Sequence, residues 1–377
     1  MSEVLVVHAI DAEGPLGGDA RRRPDGSHEF FDDWSDIKRS LEELTLPDFR
    51  ESHPDSFGGP YRFNWFVLDF TGFRTNPKNR VASYHDTYDH VRSLPVEVDG
   101  LYWHYHPPPA TGIGDHWAES WLESNEHNMI LARRLLERRD FPEVFRAGGT
   151  IEDEAGSRWL EEVFLLDFSN RVSERSRPGA DLYSFDWHGA PPVWGDYHPA
   201  HDSPLQRGAM RRHVYRSLDL RSPYNEVTVE TLEAAFREVA ESSSPRVVSF
   251  FSHDNRDMRP ETYEVHDALA DVAARTGIPW RSCTALDAHI RLHALEPETV
   301  TLELELDPQG VRIVLDREPF QRTPFVAADL GDRVVRLFPV RAGEREWRLR
   351  VDMASLRRLG AAVTSRTGRK ALVVEDL

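Results

Sequence analysis

The sequence predicts an α/β protein in which a parallel sheet is followed by a small antiparallel β domain. Up to residue 292, short apolar runs rich in strand-forming residues alternate with longer segments of helical periodicity. Such alternation is typical of βα units, which assemble as a barrel or as a doubly wound sheet. After Pro297 the pattern changes to apolar and polar residues in strict alternation, and long helical patterns become rare. We therefore divide the chain into residues 1–294 and residues 297–377.

The predicted strands of the parallel sheet are continuous apolar runs, as expected for strands buried on both faces. The first is the β-branched run 4–10, and turn-forming residues follow it at Gly14-Pro15. The others cover residues 63–70, 99–106, 144–146, 164–167 and 246–251, and a last strand is entered at residues 277–280.

Helices are predicted where apolar residues recur at intervals of three or four. They cover residues 33–44, 80–92, 118–139, 151–162, 229–241, 260–275 and 285–292. A proline in the first turn favours the start of the helix at 260. A polar stretch at 17–28 and a Pro/Gly-rich stretch at 177–201 predict loops.

The C-terminal residues predict a β domain with one face in solvent. Residues 300–306 (VTLELEL) alternate strictly, as do 311–315 and, more weakly, 347–351. The segment carries no Ser/His/Asp cluster and no set of metal ligands. Packing, oligomerisation and substrate contact all remain open as its role.

Composition restricts the class of protein and of partner. A chain of 377 residues, 40% hydrophobic, can form one large domain and a smaller one. The net charge of −18 disfavours nucleic acid and anionic membranes as partners, since both need a basic face. One cysteine, Cys283, excludes an internal disulfide. With no signal-peptide pattern at the N-terminus and no apolar run of about 20 residues, we expect a cytoplasmic protein.

Two histidines end the third predicted strand. His104 and His106 stand in GLYWHYH, directly before three prolines that stop the strand. Side chains at i and i+2 leave the same face of a strand, so the two imidazoles point to one spot. Neutral imidazole is a common nitrogen ligand for zinc and its neighbours, which makes the pair a candidate metal site. An HxH triplet among 17 histidines can also arise by chance.

Other reactive residues also stand at predicted strand ends. Asp11 and Glu13 follow the first strand with the same i, i+2 spacing, although acidic residues before Gly-Pro are also common in turns. Arg146 ends the fourth strand, and His253 follows the strand 246–251. The ends of βα strands converge on one face, so we expect these groups to meet.

The combined set predicts metal-assisted hydrolysis. One carboxylate and two imidazoles commonly hold a catalytic divalent metal and leave a position open for water. Such a metal activates its water and polarises a carbonyl oxygen. The second carboxylate can then take a proton from the water, an arginine can orient that carboxylate, and a histidine can protonate a leaving amine.

Five segments, taken in order, resemble the polysaccharide deacetylase superfamily, carbohydrate esterase family four. They are IDAEGP, HYHPPP, FRAGG, LLDFS and VVSFFSHD, and the resemblance covers about residues 1–292. It implies a distorted (β/α) barrel with one divalent metal, expected to be Zn²⁺, with Co²⁺, Ni²⁺ and Mn²⁺ as alternatives. It also implies a deacetylase acting on an N-acetylated carbohydrate.

Residue by residue, the resemblance implies the following site. Asp11 matches the catalytic base, and Glu13 matches the carboxylate ligand of the metal. The histidine ligands correspond to His104 and His106.

Further positions complete the implied site. Arg146 matches the arginine that orients the base, and His253 matches the general acid. Asp167, and more loosely Asp186 with Trp187, match positions that line the substrate groove.

Two departures from the family pattern leave part of this assignment open. Adjacent aspartates are usual where this chain has Asp-Ala-Glu, so the base and ligand roles of Asp11 and Glu13 are interchangeable on sequence alone. The family usually separates its histidines by three residues, whereas only Tyr105 lies between them here. That change alters the spacing of the two ligands.

The substrate stays open among several classes. A chain without an export signal fits a sugar nucleotide, a precursor glycan or another small N-acylated compound. The same site could act on another C–N bond of a small metabolite, and a non-catalytic carbohydrate-binding or scaffold protein is the third reading. Four further histidines could line a pocket, although each is more simply a loop or core residue: His8, His188, His198 and His201. A homo-oligomer is compatible with the sequence.

Overall fold

The computed structural model describes residues 2–14, 31, 33–68, 84–107, 120–123, 125–173, 185–220, 227–307 and 310–377. The strands of the N-terminal part are β1 (Val4–Ala12), β2 (Phe63–Leu68), β3 (Gly100–Tyr105), β4 (Val144–Ala147), β5 (Leu166–Asn170), β6 (Asp196–Tyr197), β7 (Pro199–Ala200), β8 (Ser203–Arg207), β9 (His213–Asp219), β10 (Arg246–His253) and β11 (Trp280–Ser282). The helices are α1 (Trp34–Thr45), α2 (Pro47–Glu51), α3 (Tyr84–Ser93), α4 (Glu126–Arg138), α5 (Glu154–Val163), α6 (Val229–Ser242), α7 (Arg259–Thr276) and α8 (Ala285–Leu292).

Seven parallel strands close into a barrel. Their order is β10-β1-β2-β3-β4-β5-β9, and β9 pairs back with β10. The barrel is irregular at two places, because β11 pairs only with the first three residues of β1 and β6 runs antiparallel to the start of β9. The predicted α/β class, with a distorted (β/α) barrel, is confirmed.

Along the inner face of β1, apolar core residues come first and the candidate site residues follow at the carboxyl end. Leu5, Val7 and Ala9 lie in a buried apolar cluster with inward residues of other strands. Alternation along the strand then places Asp11 and Glu13 on the same inner face, beyond this apolar core. The carboxyl ends of the strands therefore carry the polar groups, and the amino ends are closed by packing.

Helix α8 closes the amino end of the barrel. Ala285 N donates to Asn64 Oδ1 on β2 at 2.7 Å, and Leu286 N donates to Tyr102 Oη on β3 at 3.4 Å. Thr284 caps the helix by accepting from Asp287 N. The predicted helix 285–292 is thus confirmed at both ends.

Most predicted elements are confirmed with shifted bounds. Helix α4 begins at Glu126 and not at 118, because Ser120 and Trp121 form a turn in which both donate to the carboxylate of Asp153. Strand β5 begins two residues later than predicted and extends to Asn170. The predicted loop 17–28 and residues 69–70 of the second predicted strand lie outside the described residues.

Strand β9 is a barrel strand that the sequence did not predict. Its residues HVYRSLD are mostly polar, yet five of the seven are buried. Arg216 donates to Val172 O at 2.8 Å and lies 4.3 Å from the ring of Trp194. Ser217 lies 2.9 Å from Ser249 on β10.

Two four-stranded antiparallel sheets follow the barrel. Their strands are β12 (Leu302–Asp307), β13 (Gly310–Leu315), β14 (Phe325–Asp329), β15 (Val334–Leu337), β16 (Val340–Arg341), β17 (Glu346–Leu349), β18 (Arg358–Thr364) and β19 (Lys370–Asp376). The sheet orders are β12-β13-β17-β16 and β15-β14-β18-β19, and an apolar core lies between the sheets. The predicted C-terminal β domain is confirmed.

The second of these sheets packs against other elements on both faces. Val326 and Ala361 face the other sheet, whereas Phe325 and Ala362 pack in one cluster with residues of α4 and α5. Lys370 Nζ also donates to Asp140 Oδ1 at 2.8 Å across this contact. Packing against the barrel helices is therefore one role of the β domain.

None of the helices in the described part of the chain has the length and apolar character needed to cross a bilayer.

Candidate metal centre

The reactive residues predicted at four strand ends meet at the carboxyl end of the barrel. Asp11 on β1 is the register partner of His253 on β10, and His104 on β3 is the partner of Arg146 on β4. All four side chains lie at one end of the parallel strands, because every strand of the barrel runs in the same direction. Glu13 follows β1 directly and joins this group.

Glu13 contacts both predicted histidine ligands. Its Oε1 lies 3.2 Å from His104 Nε2 and 3.2 Å from His106 Nε2. One ligand atom from each of the three residues lies within 4.8 Å of the others, and all three residues are buried. Glu13 is therefore the acidic residue that reaches the Nε2 atoms of both histidines, whereas Asp11 Oδ1 lies 3.7 Å from Nδ1 of His104, on the other side of that ring.

The backbone of β4 fixes the orientation of the His104 ring. Its Nδ1 lies 3.0 Å from the carbonyl oxygen of Arg146, and a carbonyl oxygen can only accept. Nδ1 therefore carries the proton, and in the neutral ring Nε2 presents its lone pair toward Glu13. Such a second contact on the far nitrogen is how proteins orient metal-binding histidines.

Gly148 makes room for the His106 ring. A Cβ at this position would lie 2.1 Å from His106 Cδ2 and 2.5 Å from Nε2. The ring thus packs directly on the backbone of the turn that follows β4, and any side chain at residue 148 would displace it. This contact explains a glycine at that place in the FRAGG segment.

Asp254 fixes the turn that carries Glu13. Its Oδ1 accepts from Glu13 N at 3.0 Å, and its Oδ2 accepts from Gly14 N at 3.0 Å. Asp254 N also lies 3.3 Å from Asp11 O. The residue after β10 thereby holds the end of β1 in place and positions the Glu13 carboxylate.

The three residues fit a divalent cation. A lone pair on His104 Nε2 that faces a carboxylate oxygen at 3.2 Å is repelled unless a proton or a metal cation lies between them. Two ligands about 2.1 Å from a tetrahedral zinc ion lie about 3.4 Å apart, close to the two Glu13 to histidine distances. Imidazole and carboxylate ligands also suit Co²⁺, Ni²⁺ and Mn²⁺. The site could therefore bind a divalent metal, and the donor set does not select one.

Asp11 forms a buried ion pair with Arg146. Arg146 Nε donates to Asp11 Oδ1 at 2.8 Å and lies 3.0 Å from Oδ2, while Nη1 donates to Phe168 O at 2.6 Å. The guanidinium carbon lies 3.7 Å from the ring centre of Phe251. The arginine is thus fixed on three sides, and it holds the carboxylate in one orientation.

His253 lies at the open side of this pair. Its Nε2 is 3.9 Å from Asp11 Oδ2, and its side chain is 24% exposed, the most of these groups. Burial, with a smaller effect of the Arg256 charge, lowers the pKa of His253 although Asp11, Glu13 and Asp219 act to raise it. The neutral ring is therefore favoured at pH 7.

Asp167 is not brought to this group. Leu166 and Phe168 face the barrel interior, so Asp167 between them faces outward. There it is fully buried, binds Arg212 Nη1 and accepts from Ser169 N at 2.9 Å. Burial and the neighbouring Glu152 raise its pKa well above the ordinary value, although Arg212 opposes this. In this position its carboxylate is enclosed by protein on the outer side of β5.

Asp186 and Trp187 lie against the turn after β4. Trp187 is buried and donates from Nε1 to Thr150 O at 2.9 Å, and Phe185 N donates to Gly149 O at 3.1 Å. Asp186 is exposed and accepts from His188 N at 2.9 Å. The segment therefore borders the turn that supports His106, and Asp186 faces solvent.

The four additional histidines lie apart from the metal centre. His8 is buried on the outer face of the barrel, 3.0 Å from Tyr61 Oη and 2.9 Å from Ser252 Oγ. His188 and His201 are exposed. His198 packs on His213 at the amino end of the barrel.

Three residues that support the site were missed as site residues. Asp254, Gly148 and Phe251 act by holding Glu13, His106 and Arg146 in place. The sequence offered a signal for two of them, because Gly148 follows Arg146 closely and Asp254 follows His253. Nothing in the sequence marks Phe251 as more than a core residue.

The comparisons with known proteins give weak likenesses. No protein-family model and no curated protein matches the sequence. A crystal structure from Parabacteroides distasonis, described as a "putative glycoside hydrolase/deacetylase", has a TM-score of 0.41 at 11% identity and covers 96% of this chain and 84% of its own. An endo-β-1,4-mannanase from Thermotoga petrophila has a TM-score of 0.28 at 8% identity, covering 90% and 92%. A carbohydrate acetylesterase from Xanthomonas citri has a TM-score of 0.19 at 10% identity, covering 99% and 78%. At these values the likenesses assign neither a family nor an activity.

Proposed function

We propose that this chain is a metal-dependent hydrolase that removes an N-acyl group from an amino sugar or another small N-acylated substrate. The observation that carries the proposal is the grouping of Glu13, His104 and His106 beside the Asp11–Arg146 pair. A buried set of three ligands without further chemistry would suit a structural metal. The adjacent base and the partly exposed His253 suit hydrolysis.

Glu13, His104 and His106 would hold the metal. When bound, the ion would supply Lewis-acid polarisation of the acyl oxygen and a water of lowered pKa. His104 at the end of β3 and His106 just after it would reach the ion, and the turn held by Asp254 brings Glu13 to the same point. We therefore give the ligand role to Glu13 and the proton-transfer role to Asp11.

Asp11 would act as the base. It takes a proton from the attacking water, whose oxygen bonds to the acyl carbon. Arg146 stabilises the carboxylate through two contacts of 2.8 and 3.0 Å and holds it in one orientation. Because Arg146 is itself held by Phe168 O, it acts as a positioning residue.

His253 would deliver a proton to the leaving nitrogen. The C–N bond breaks, the electron pair stays on nitrogen, and the amine needs one proton to leave. The ring lies 3.9 Å from Asp11 Oδ2, beyond direct hydrogen-bond distance, so it would receive the proton taken from the attacking water through one intervening water molecule and pass it to the nitrogen. The carboxylic acid formed from the acyl group is the second product.

The substrate class rests on charge and on the resemblance found in the sequence. A chain with net charge −18 disfavours polyanions, so we propose a glycan or small-molecule substrate and neither nucleic acid nor a membrane surface. An N-acetylated amino sugar is the substrate class that the resemblance to deacetylases indicates.

The test is release of acetate and amine from defined compounds by the purified protein with Zn²⁺ added. We expect acetate from at least one N-acetyl amino sugar or sugar nucleotide, and none from the His104→Ala/His106→Ala variant. A His188→Ala/His201→Ala variant, which removes two exposed histidines, should keep full activity. Amine release from amides or guanidines without acetate would support hydrolysis of another C–N bond. Lack of turnover across the whole panel with metal bound would support the scaffold reading.

A further inference from the structure

A second group of histidines lies at the amino end of the barrel, opposite the metal centre. His213 is the first residue of β9. His289 lies on α8, and His293, one helical turn later, is the C-cap of that helix. One ligand atom from each of the three lies within 4.8 Å of the others. The ring centres are 4.6 to 5.1 Å apart.

Each of these rings is held by an outer partner through one nitrogen. His213 Nδ1 bonds Asp196 Oδ2, and His293 Nε2 lies 3.2 Å from Asp196 Oδ1. His289 Nδ1 lies 2.8 Å from Tyr215 Oη. A carboxylate on one ring nitrogen is a usual outer contact of a metal-binding histidine, and each ring retains a second nitrogen that can bind an ion.

His289 supplies an independent indication of a missing ligand. The residue is 1% exposed, and its Nε2 has no hydrogen-bond partner among the described residues. If Nδ1 donates to Tyr215, the buried Nε2 carries a lone pair that meets no donor. Buried polar atoms are nearly always partnered, and a cation bound by the neighbouring imidazoles provides that partner.

The site is open to solvent on one side. The side chain of His293 is 32% exposed and that of His213 is 15% exposed, whereas His289 lies at the buried end. An ion can therefore enter beside His293, and water can complete its coordination. Three neutral imidazoles suit Zn²⁺ and the other cations that prefer nitrogen ligands.

We propose that His213, His289 and His293 form a second divalent-metal site, with Asp196 and Tyr215 as outer partners. Its ligands come from β9 and α8, which are far apart in sequence. Bound metal would fasten the helix that closes the amino end of the barrel. The site has a structural role and takes no part in the proposed hydrolysis.

The test uses Zn²⁺ alone as the probe and protein stripped with a chelator. In the His104→Ala/His106→Ala background, which removes the first set of ligands, we expect one bound equivalent of Zn²⁺ by calorimetry and elemental analysis. Adding His293→Ala should weaken that binding by at least about tenfold. Zn²⁺ should raise the unfolding temperature of the background protein and not of the His293→Ala protein.

The controls keep the result independent of folding and of the proposed function. His201→Ala in the same background removes an exposed histidine and should leave Zn²⁺ binding unchanged. Circular dichroism verifies that each variant is folded. His293 is exposed, so its replacement disturbs packing least. A folded background protein that binds no Zn²⁺, or unchanged binding in the His293→Ala protein, would overturn the proposal whether or not the barrel is a hydrolase.

Discussion

Replacing Gly148 by alanine should displace the His106 ring. The added Cβ would lie 2.1 Å from His106 Cδ2, whereas carbon atoms in contact are about 3.5 Å apart or more. The ring must therefore move by about 1.4 Å, several times the roughly 0.2 Å within which metal ligands are normally placed. The backbone tolerates the change, because Gly148 is not among the glycines with positive φ.

The expected result is weaker metal binding in a folded protein. Loss of a well-placed contact around a metal ligand typically lowers affinity by about 10–100-fold, which corresponds to about 1.4–2.8 kcal/mol. The assay is competition for Zn²⁺ between chelator-stripped protein and a coloured chelator, with all proteins carrying His293→Ala so that only the first site is measured. Gly343→Ala, whose Cβ would meet its nearest atom, Glu346 Cβ, at 3.3 Å in the β domain, is the matched control.

A double variant separates displacement of His106 from a general loss of structure. If Gly148→Ala acts only through the ring, then Gly148→Ala/His106→Ala should bind Zn²⁺ as weakly as His106→Ala alone and no more weakly. A folded Gly148→Ala protein with the parent's affinity would refute the assignment of His106 as a ligand positioned by Gly148.

Three further outcomes follow from other contacts. The His253→Ala change should lower kcat by about 100-fold or more with metal content unchanged, because only proton donation is lost. Steady-state rates and elemental analysis test this, and full activity in the variant would remove the residue from the mechanism. The Arg212→Met change should lower the free energy of unfolding by about 3–5 kcal/mol, because Asp167 and Glu152 lose their buried cationic partner. Urea unfolding measures this change, and a loss below about 1 kcal/mol would contradict the prediction. Burial, with a smaller effect of the Arg336 charge, lowers the pKa of His127 from 6.5 to about 4. The neutral, buried His127 side chain therefore contributes its full stabilisation to the fold above pH 6.5, and this contribution is lost as the pH falls toward 4, because the unfolded chain takes up the proton first. The His127→Phe change should therefore reduce the slope of unfolding free energy against pH in that window by up to about 1.4 kcal/mol per pH unit, and parallel slopes in urea unfolding series would contradict this.

The sequence predicted the positions of the candidate residues well where strand alternation alone decides the geometry. His104 and His106 share a face because they stand two apart at the end of β3, and Arg146 and His253 stand at the ends of their own strands. The parallel direction of all these strands then brings the groups together. No long-range information was needed for that part.

Alternation could not separate the roles of Asp11 and Glu13, because both lie on the same face. The difference is one of depth: Asp11 is inside the barrel beside Arg146, whereas Glu13 lies in a turn that Asp254 holds over the histidines. Asp254 directly follows β10, more than 200 residues away in the sequence. A contact of that kind leaves no local pattern.

The outward position of Asp167 was equally hidden. In LLDFS, apolar residues stand on both sides of the aspartate because a parallel strand is buried on both faces, so the sequence does not show which face is the interior. Strand β9 escaped prediction for a related reason, since Arg216 is buried through hydrogen bonds and stacking and not through an apolar pattern. The second histidine group combines distant segments, and only the spacing of His289 and His293 was visible in the sequence.

Anomalous X-ray scattering at the zinc absorption edge, from crystals of the protein purified with Zn²⁺, tests the central claim most directly. We predict a peak about 2.0–2.2 Å from Glu13 Oε1, His104 Nε2 and His106 Nε2. Density showing these three atoms in place with no ion between them, or the two imidazoles turned apart, would contradict the metal centre and the hydrolase built on it.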